Sequence, residues 1–187
     1  MKTRRIAILL ATVLAAAGIA ACEEEEVTRG ETEGVYVTVD GLQYQVQISR
    51  QLNPENSEDR DYLLGVEGAE ARLAGNEEWF AVFLRVRNAE KEGPARLTAS
   101  KFLIEDTAGA EFEPVELARE HSPHAYTPQR IAPKTYYPSM DIAAGASTSQ
   151  GALVLFKLTR RALDNRPLEF HIESPSGGAD ALVDLDV

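Results

Sequence analysis

Hydrophobic and polar residues alternate with a period of two along most of the chain from Val35 onward. Residues 35–39 and 42–48 show the pattern clearly, and the Asp40-Gly41 pair between them is typical of a hairpin turn. Successive side chains of a strand point to opposite faces, so the alternation predicts two half-buried strands. In the second strand, three glutamines would face solvent. The residues that would face the core are Leu42, Tyr44, Val46 and Ile48.

Residues 79–88 form a central, strongly hydrophobic stretch. One face of the predicted strand is hydrophobic throughout, and the other becomes polar only at Arg85 and Arg87. This pattern predicts the most buried strand of the fold, with Trp79 anchoring one end. Further strands are predicted at 102–105, 112–117, 152–158, 168–172 and 183–187.

The number and spacing of these strands predict the fold class. No amphipathic helix of ordinary length follows the N-terminal segment. About seven to nine short strands separated by turn signals are typical of an all-β fold, an immunoglobulin-like two-sheet antiparallel β-sandwich. The chain has 187 residues and one cysteine, so we expect a single domain held by its core, without an intrachain disulfide.

The N-terminus has the parts of a secretory signal. Lys2, Arg4 and Arg5 precede a hydrophobic run that begins at Ile6 and ends in small residues. The run is about 15 residues long, whereas a membrane-spanning helix needs about 20. We therefore interpret residues 1–21 as a signal peptide that is removed on export.

The end of this segment, Ile19-Ala20-Ala21-Cys22, resembles the lipobox of bacterial lipoproteins. The resemblance implies that the Cys22 thiol receives a diacylglyceryl group and that cleavage makes Cys22 the new N-terminus. Two acyl chains anchor a protein stably, so we expect the chain at the extracytoplasmic face of the cell membrane, attached through Cys22. The alternative is an ordinary secretory signal with a chance cysteine at the cleavage point.

Acidic residues dominate the segment after Cys22. Four glutamates, 23–26, open a polar stretch to Gly34, so residues 22–34 are predicted to form a lipidated, solvated tether ahead of a domain at 35–187. The net charge is −11, and without residues 1–21 it becomes −14, from 16 basic and 30 acidic residues. This charge repels phosphate backbones, so we expect no nucleic-acid partner.

The region 35–187 resembles an immunoglobulin-like domain of unknown function that is widespread in Gram-positive lipoproteins, including actinobacterial ones. The resemblance rests on the 79–88 strand ending Arg-Val-Arg-Asn, on Phe-Leu-Ile-Glu-Asp-Thr at 102–107, and on Gln150-Gly151 before a Leu-Val-Leu-Phe strand. It implies an extracytoplasmic sandwich and supplies no catalytic residues.

No catalytic constellation is evident from the residues themselves. Gly145 to Ser149 comes nearest to a nucleophile elbow, but it precedes a strand, whereas an elbow follows one. The sequence cannot place any of the three histidines, His121, His124 and His171, beside a serine. We therefore predict a protein that is not an enzyme and needs no cofactor.

Two segments of the chain contain candidate metal ligands. His121 and His124 are three residues apart but have no obvious third ligand. The acidic loop 53–61 offers oxygens but lacks the Asp-x-Asp spacing and the glycine of a calcium loop. Exposed loop histidines and a solvated turn are the favoured interpretations, so no metal site is predicted.

The connection 121–144 is unusually long and carries a proline every five residues. Prolines stiffen it, and Tyr126, Tyr136 and Tyr137 on a stiff loop could anchor an envelope protein partner. The alternative is a strap packed across the sandwich and pinned by its tyrosines. We expect a non-catalytic, lipid-anchored binding module; the alternative function is a small-ligand or metal-ion binding lipoprotein.

Overall fold

The structure is a computed structural model that describes residues 26–68 and 70–186. The predicted signal peptide and the predicted lipid attachment at Cys22 lie outside the described residues. Within these two ranges, no helix is long and apolar enough to cross a membrane.

The described residues form twelve strands, eight of them with three or more residues, and three short helices. The strands are β1 (Arg29–Gly30), β2 (Val37–Val39), β3 (Leu42–Leu52), β4 (Glu77–Asn88), β5 (Arg96–Leu97), β6 (Phe102–Glu105), β7 (Glu111–Phe112), β8 (Arg130–Ile131), β9 (Thr135–Tyr137), β10 (Ala152–Thr159), β11 (Leu168–Ile172) and β12 (Ala181–Leu185). The helices are α1 (Ser57–Tyr62), α2 (Ala143–Ala146) and α3 (Arg160–Asp164).

Two five-stranded sheets make up the sandwich. The first has the order β1-β12-β11-β6-β7, and the second has the order β10-β4-β3-β2, with β9 also paired to β4. All pairs are antiparallel except β1 with β12, which is parallel. A small separate sheet joins β5 and β8. The predicted all-β sandwich is therefore confirmed.

The main core lies between the two sheets. Phe80, Val82 and Leu84 of β4 point into it, and they meet Phe170 of β11 from the first sheet. Phe102 stacks on Phe170 with ring centroids 5.5 Å apart. Full burial of one such side chain stabilises the fold by about 1.5–3 kcal/mol relative to exposure, so this core is the main source of stability.

A second hydrophobic cluster covers part of the outer face of the second sheet. The outward residues of β4 in this part, Trp79, Ala81 and Phe83, are buried together with Tyr62 of α1 and Leu153 of β10. The prediction that 79–88 is the most buried strand is correct over Trp79 to Leu84, where every residue is buried.

Helix α1 occupies the predicted acidic loop 53–61. Asn56 caps it by accepting a hydrogen bond from the Glu58 amide at 2.8 Å. The carboxylate of Asp59 is buried and accepts hydrogen bonds from Arg50 at 2.6 Å and from the Asn53 amide at 2.8 Å. Burial alone raises the pKa of Asp59, but these hydrogen bonds outweigh it, and the pKa lies below its usual value.

The prediction for the 42–48 strand is wrong at one residue. The register of β3 against β4 shifts between Val46 and Ile48, which marks a β-bulge at Gln47. A bulge inserts one extra residue and therefore exchanges inward and outward positions beyond it. Ile48, predicted to face the core, is 40% exposed, and Ser49 is buried instead.

The contacts of the domain begin earlier than the predicted boundary at Val35. The Thr38 amide donates to the Val27 carbonyl at 2.6 Å, and the Leu182 amide donates to the Thr28 carbonyl at 2.8 Å. The carboxylate of Glu33 accepts a hydrogen bond from the Ser49 amide at 3.1 Å. Residues 27–34, predicted as solvated tether, thus pack on the sandwich through the Glu33 carboxylate and through backbone groups, and a side-chain pattern does not report the backbone contacts.

Candidate functional site

The outer face of the second sheet changes character at Arg85. From Trp79 to Phe83 the second hydrophobic cluster covers the outer face of β4. Arg85 and Arg87 lie outside this cluster and are half-buried. The exposed continuation of the sheet spans β2, β3, β4 and β9, four strands that lie side by side.

Strand register aligns polar side chains across this region. Thr38 of β2 lies opposite Gln43 of β3, Gln43 lies opposite Arg87 of β4, and Arg87 lies opposite Tyr136 of β9. Directly opposite residues share one face of a sheet, so these four side chains point outward together. The neighbouring pair is Gln45 and Arg85. We call the surface made by the following residues the tyrosine–arginine face: Tyr36, Thr38, Gln43, Gln45, Arg85, Arg87 and Tyr136.

Each arginine of this face stacks on one tyrosine. The Arg87 guanidinium carbon lies 3.8 Å from the ring centroid of Tyr36, and that of Arg85 lies 4.5 Å from the ring of Tyr136. The Nε of Arg87 also donates to the side-chain oxygen of Gln43 at 2.7 Å. Cation–π stacking and this hydrogen bond hold the long side chains in fixed positions across the sheet.

The charge of the tyrosine–arginine face differs from that of the whole chain. Its seven residues include two arginines and no acid, in a chain with a net charge of −11. A hollow of about 590 Å³, lined by Val27, Tyr36 and Gln43 among others, adjoins one end. A second hollow of about 500 Å³, lined by Gln47, Ile48 and Ser149 among others, adjoins β3 beyond the bulge. The face is therefore a cationic, aromatic surface bordered by two hollows.

Two of the three predicted contact tyrosines lie inside the fold. The hydroxyl of Tyr126 donates to the Ala99 carbonyl at 2.9 Å, and its ring packs edge-on against Phe102. Tyr137 is 7% exposed, and its hydroxyl accepts a hydrogen bond from the Thr127 amide at 2.9 Å. Burial raises the pKa of both hydroxyls. These placements agree with the alternative of a strap pinned by its tyrosines.

Tyr136 is the predicted contact residue that reaches the surface, where it is 39% exposed. Tyr136 therefore stays a predicted partner contact, as one residue of the tyrosine–arginine face. Sequence reasoning missed Tyr36 and did not join the glutamines to Arg85 and Arg87. The alternation of β3 and of the end of β4 is visible in the sequence. Only the register between strands shows that Gln43, Arg87 and Tyr136 share a row.

The two histidines of the long connection do not form a ligand set with each other. His121 is exposed, with Nε2 3.9 Å from a Glu67 carboxylate oxygen. His124 is half-buried, with its ring 4.9 Å from that of Tyr62, and burial lowers its pKa. Among the described residues, the grouping with metal-ligand spacing comprises Glu105, Glu169 and His171.

Comparison of the chain with protein-family models, with curated proteins and with solved structures gives no match. The resemblance to lipoproteins and to their immunoglobulin-like domain therefore stays a prediction from the sequence.

Proposed function

We propose that the chain is a lipid-anchored, non-catalytic binding module of the cell envelope, and that it holds its partner on the tyrosine–arginine face. The observation that carries the proposal is the uncovered half of the second sheet, where Tyr36 and Tyr136 flank Arg85 and Arg87. Tyrosine and arginine are enriched among residues that dominate protein interfaces.

Preorganisation of the face supports the same function. A flexible arginine loses conformational entropy when it binds a partner, which weakens binding. Arg87 is already held between the Tyr36 ring and the Gln43 amide, and Arg85 is already stacked on Tyr136. Less entropy therefore remains to be lost when a partner docks.

The position of the face relative to the predicted anchor narrows the kind of partner. Glu26 and Val27 line the same hollow as Tyr36, so the chain enters the domain beside the face. Cys22 and Glu26 are four residues apart, and four extended residues span at most about 14 Å. If Cys22 carries lipid, the Tyr36 end of the face lies close to the membrane surface, within reach of the outer parts of a membrane protein.

Among the hollows formed by the described residues, the one with the most hydrophobic lining best suits a small ligand. This cavity lies between β10 and the preceding connection, measures about 230 Å³, and is lined by Phe102, Val115, Tyr126 and Leu155 among others. Ligand pockets usually measure about 300–1,000 Å³. This cavity is smaller than that range, and the larger hollows beside the tyrosine–arginine face have charged and amide side chains in their lining, so the face is the stronger candidate.

Co-purification from the native envelope tests the proposal. The full chain is compared with an Arg85→Gln, Arg87→Gln variant and with a matched Lys101→Gln, Lys134→Gln control, which removes the same charge elsewhere. We expect a specific partner that is retained by the control and lost by the face variant. Retention of that partner by the face variant, or the absence of any specific partner, contradicts the proposal.

A further inference from the structure

Acidic side chains lie directly opposite one another across four strands of the first sheet. Glu111 of β7 faces Glu105 of β6, Glu105 faces Glu169 of β11, and Glu169 faces Asp184 of β12. We call these four residues the acidic row. Like charges directly opposite in antiparallel strands destabilise the pairing, so a row of four carboxylates needs neutralising cations.

One cation of the chain neutralises one end of the row. Arg29 of β1 contacts Glu169 Oε1 at 2.5 Å and Asp184 at 2.8 Å. The second oxygen of Glu169, Oε2, points instead toward His171, as does an oxygen of Glu105. Arg29 therefore leaves the Glu105 side of the row without an arginine or lysine in contact within the described residues.

His171 presents a desolvated nitrogen to these two carboxylates. Its Nε2 is buried and has no hydrogen-bond partner among the described residues. It lies 3.5 Å from Glu105 Oε2 and 3.9 Å from Glu169 Oε2. These separations exceed those of good hydrogen bonds. Ligand atoms about 2.0–2.2 Å from a shared cation lie about 3–4 Å from one another, and both distances to Nε2 fall in this range. One donor atom from each of the three residues lies within 4.8 Å of the others, so small side-chain rotations would bring all three into contact with one ion.

We propose that His171 Nε2, Glu105 and Glu169 bind a divalent transition-metal cation of the zinc class. Imidazole nitrogen with two carboxylates is a donor set that zinc accepts, whereas calcium and magnesium prefer oxygen ligands only. The cation would supply the positive charge that the acidic row lacks, and Arg29 would hold Glu169 in place as a ligand.

Access to the proposed site is open. A hollow of about 460 Å³ adjoins it and is lined by Glu105, Asp106, Gly109, Pro167 and Glu169 among others. An ion can therefore reach the two carboxylates from solvent without movement of the strands. With three protein ligands, the cation keeps at least one open coordination position, as in sites that exchange water or a further ligand.

A protonated His171 is the competing explanation, because an imidazolium would itself neutralise Glu105. The two explanations differ in the response to zinc. Calorimetric titration uses the full chain as Cys22→Ser, so that no thiol competes, after treatment with a chelator. The probe is Zn²⁺ alone, and Ca²⁺ is titrated separately.

We expect one Zn²⁺ per chain, with affinity at least ten-fold weaker in the His171→Gln and Glu105→Gln variants. Two matched controls should bind as the parent does. Glu111→Gln removes the same charge from the neighbouring strand of the acidic row, and His121→Gln removes an exposed histidine. A circular dichroism spectrum of each variant verifies that the sandwich is intact.

Three outcomes of the zinc titrations overturn the proposal, and the calcium titration supplies a fourth. These are the absence of one-to-one Zn²⁺ binding below millimolar concentration, an equal loss in Glu111→Gln and Glu105→Gln, and loss of binding in His121→Gln. Equal affinity for Ca²⁺ and Zn²⁺ would also overturn it, because the acidic row would then bind cations by charge without the His171 nitrogen. None of these results bears on the tyrosine–arginine face, which lies on the other sheet.

Discussion

The guanidinium of Arg87 lies 3.8 Å from the ring centroid of Tyr36, although the two residues are far apart in the sequence. The stack spans the width of β3, because Arg87 belongs to β4 and Tyr36 directly precedes β2. Arg87 thus connects β4 to the start of β2 across β3. This contact holds the side chains in place on the part of the second sheet that the second hydrophobic cluster leaves uncovered. On the other side, Arg85 stacks on Tyr136 of β9, the strand that pairs directly with β4.

The predicted lipid anchor can be tested by replacing its cysteine. Cys22→Ser removes the only thiol of the chain, so the protein should no longer incorporate labelled fatty acid. It should also leave the membrane fraction, because a chain without acyl groups has no stable hold on a bilayer. Labelling and fractionation of cells check both points. Unchanged membrane association together with unchanged labelling would contradict the anchor at Cys22.

Two tyrosine hydroxyls hold the backbone of Ala99 inside the core. The Ala99 amide donates to the Tyr44 hydroxyl at 2.7 Å, and the Ala99 carbonyl accepts from Tyr126. Tyr44→Phe leaves the buried amide unpaired, which should lower the free energy of unfolding by about 1–3 kcal/mol. Tyr136→Phe is the control and should change it by less than about 0.5 kcal/mol. Urea unfolding measures both, and equal stability of the two variants would contradict this role of Tyr44.

The bulge at Gln47 makes a prediction about its two neighbours in β3. Val46→Thr places a hydroxyl in the core and should cost about 1–3 kcal/mol of unfolding free energy. Ile48→Thr makes a comparable change at an exposed position and should cost less than about 0.5 kcal/mol. Urea unfolding of the two variants is the measurement. A comparable loss for both variants would mean that Val46 and Ile48 both face the core and that the strand alternates without a bulge, as its sequence pattern predicts.

Asp59 should make stability depend on pH in the acidic range. Its folded-state pKa lies below the unfolded value because the hydrogen bonds from Arg50 and Asn53 outweigh burial, so its contribution is present above the unfolded pKa of about 3.9. The contribution is lost as pH falls from there through the folded pKa. Asp59→Asn should therefore be less stable than the parent at pH 7, and the difference should shrink below about pH 4.

Thermal unfolding from pH 7 to pH 2 measures this difference. Asp61→Asn is the matched control, because Asp61 is an exposed carboxylate two residues away on α1. The control should follow the parent across the whole range. A pH-independent difference between Asp59→Asn and the parent would show that Asp59 stabilises the fold by packing alone.

The strands were predictable wherever a face is buried against the other sheet. In β11, inward Leu168, Phe170 and Ile172 impose a period of two because the opposite sheet excludes water from that side. The two-residue strands β1 and β7 are too short to show any period. The short helix α3, capped by Thr159, joins β10 to β11.

The candidate sites were not predictable in the same way, because each depends on register between distant strands. Arg87 and Tyr136 lie in separate parts of the sequence, and only pairing of β4 with β9 makes them neighbours. Glu105 and Glu169 are likewise ordinary outward residues until β6 pairs with β11. A periodic pattern assigns a residue to a face, but it does not identify the residue beside it on the next strand.

A photo-reactive residue at Thr38, which shares a row of the tyrosine–arginine face with Gln43, Arg87 and Tyr136, tests the proposed function most directly. The full chain carries it in the native envelope, and a second chain carries it at Leu103, on the outer side of the first sheet. We predict one specific cross-linked product from position 38 and no product of that size from position 103. The product from position 38 should be lost in the Arg85→Gln, Arg87→Gln variant. A specific product from position 103 alone, or from neither position, would contradict the proposal that this face binds the partner.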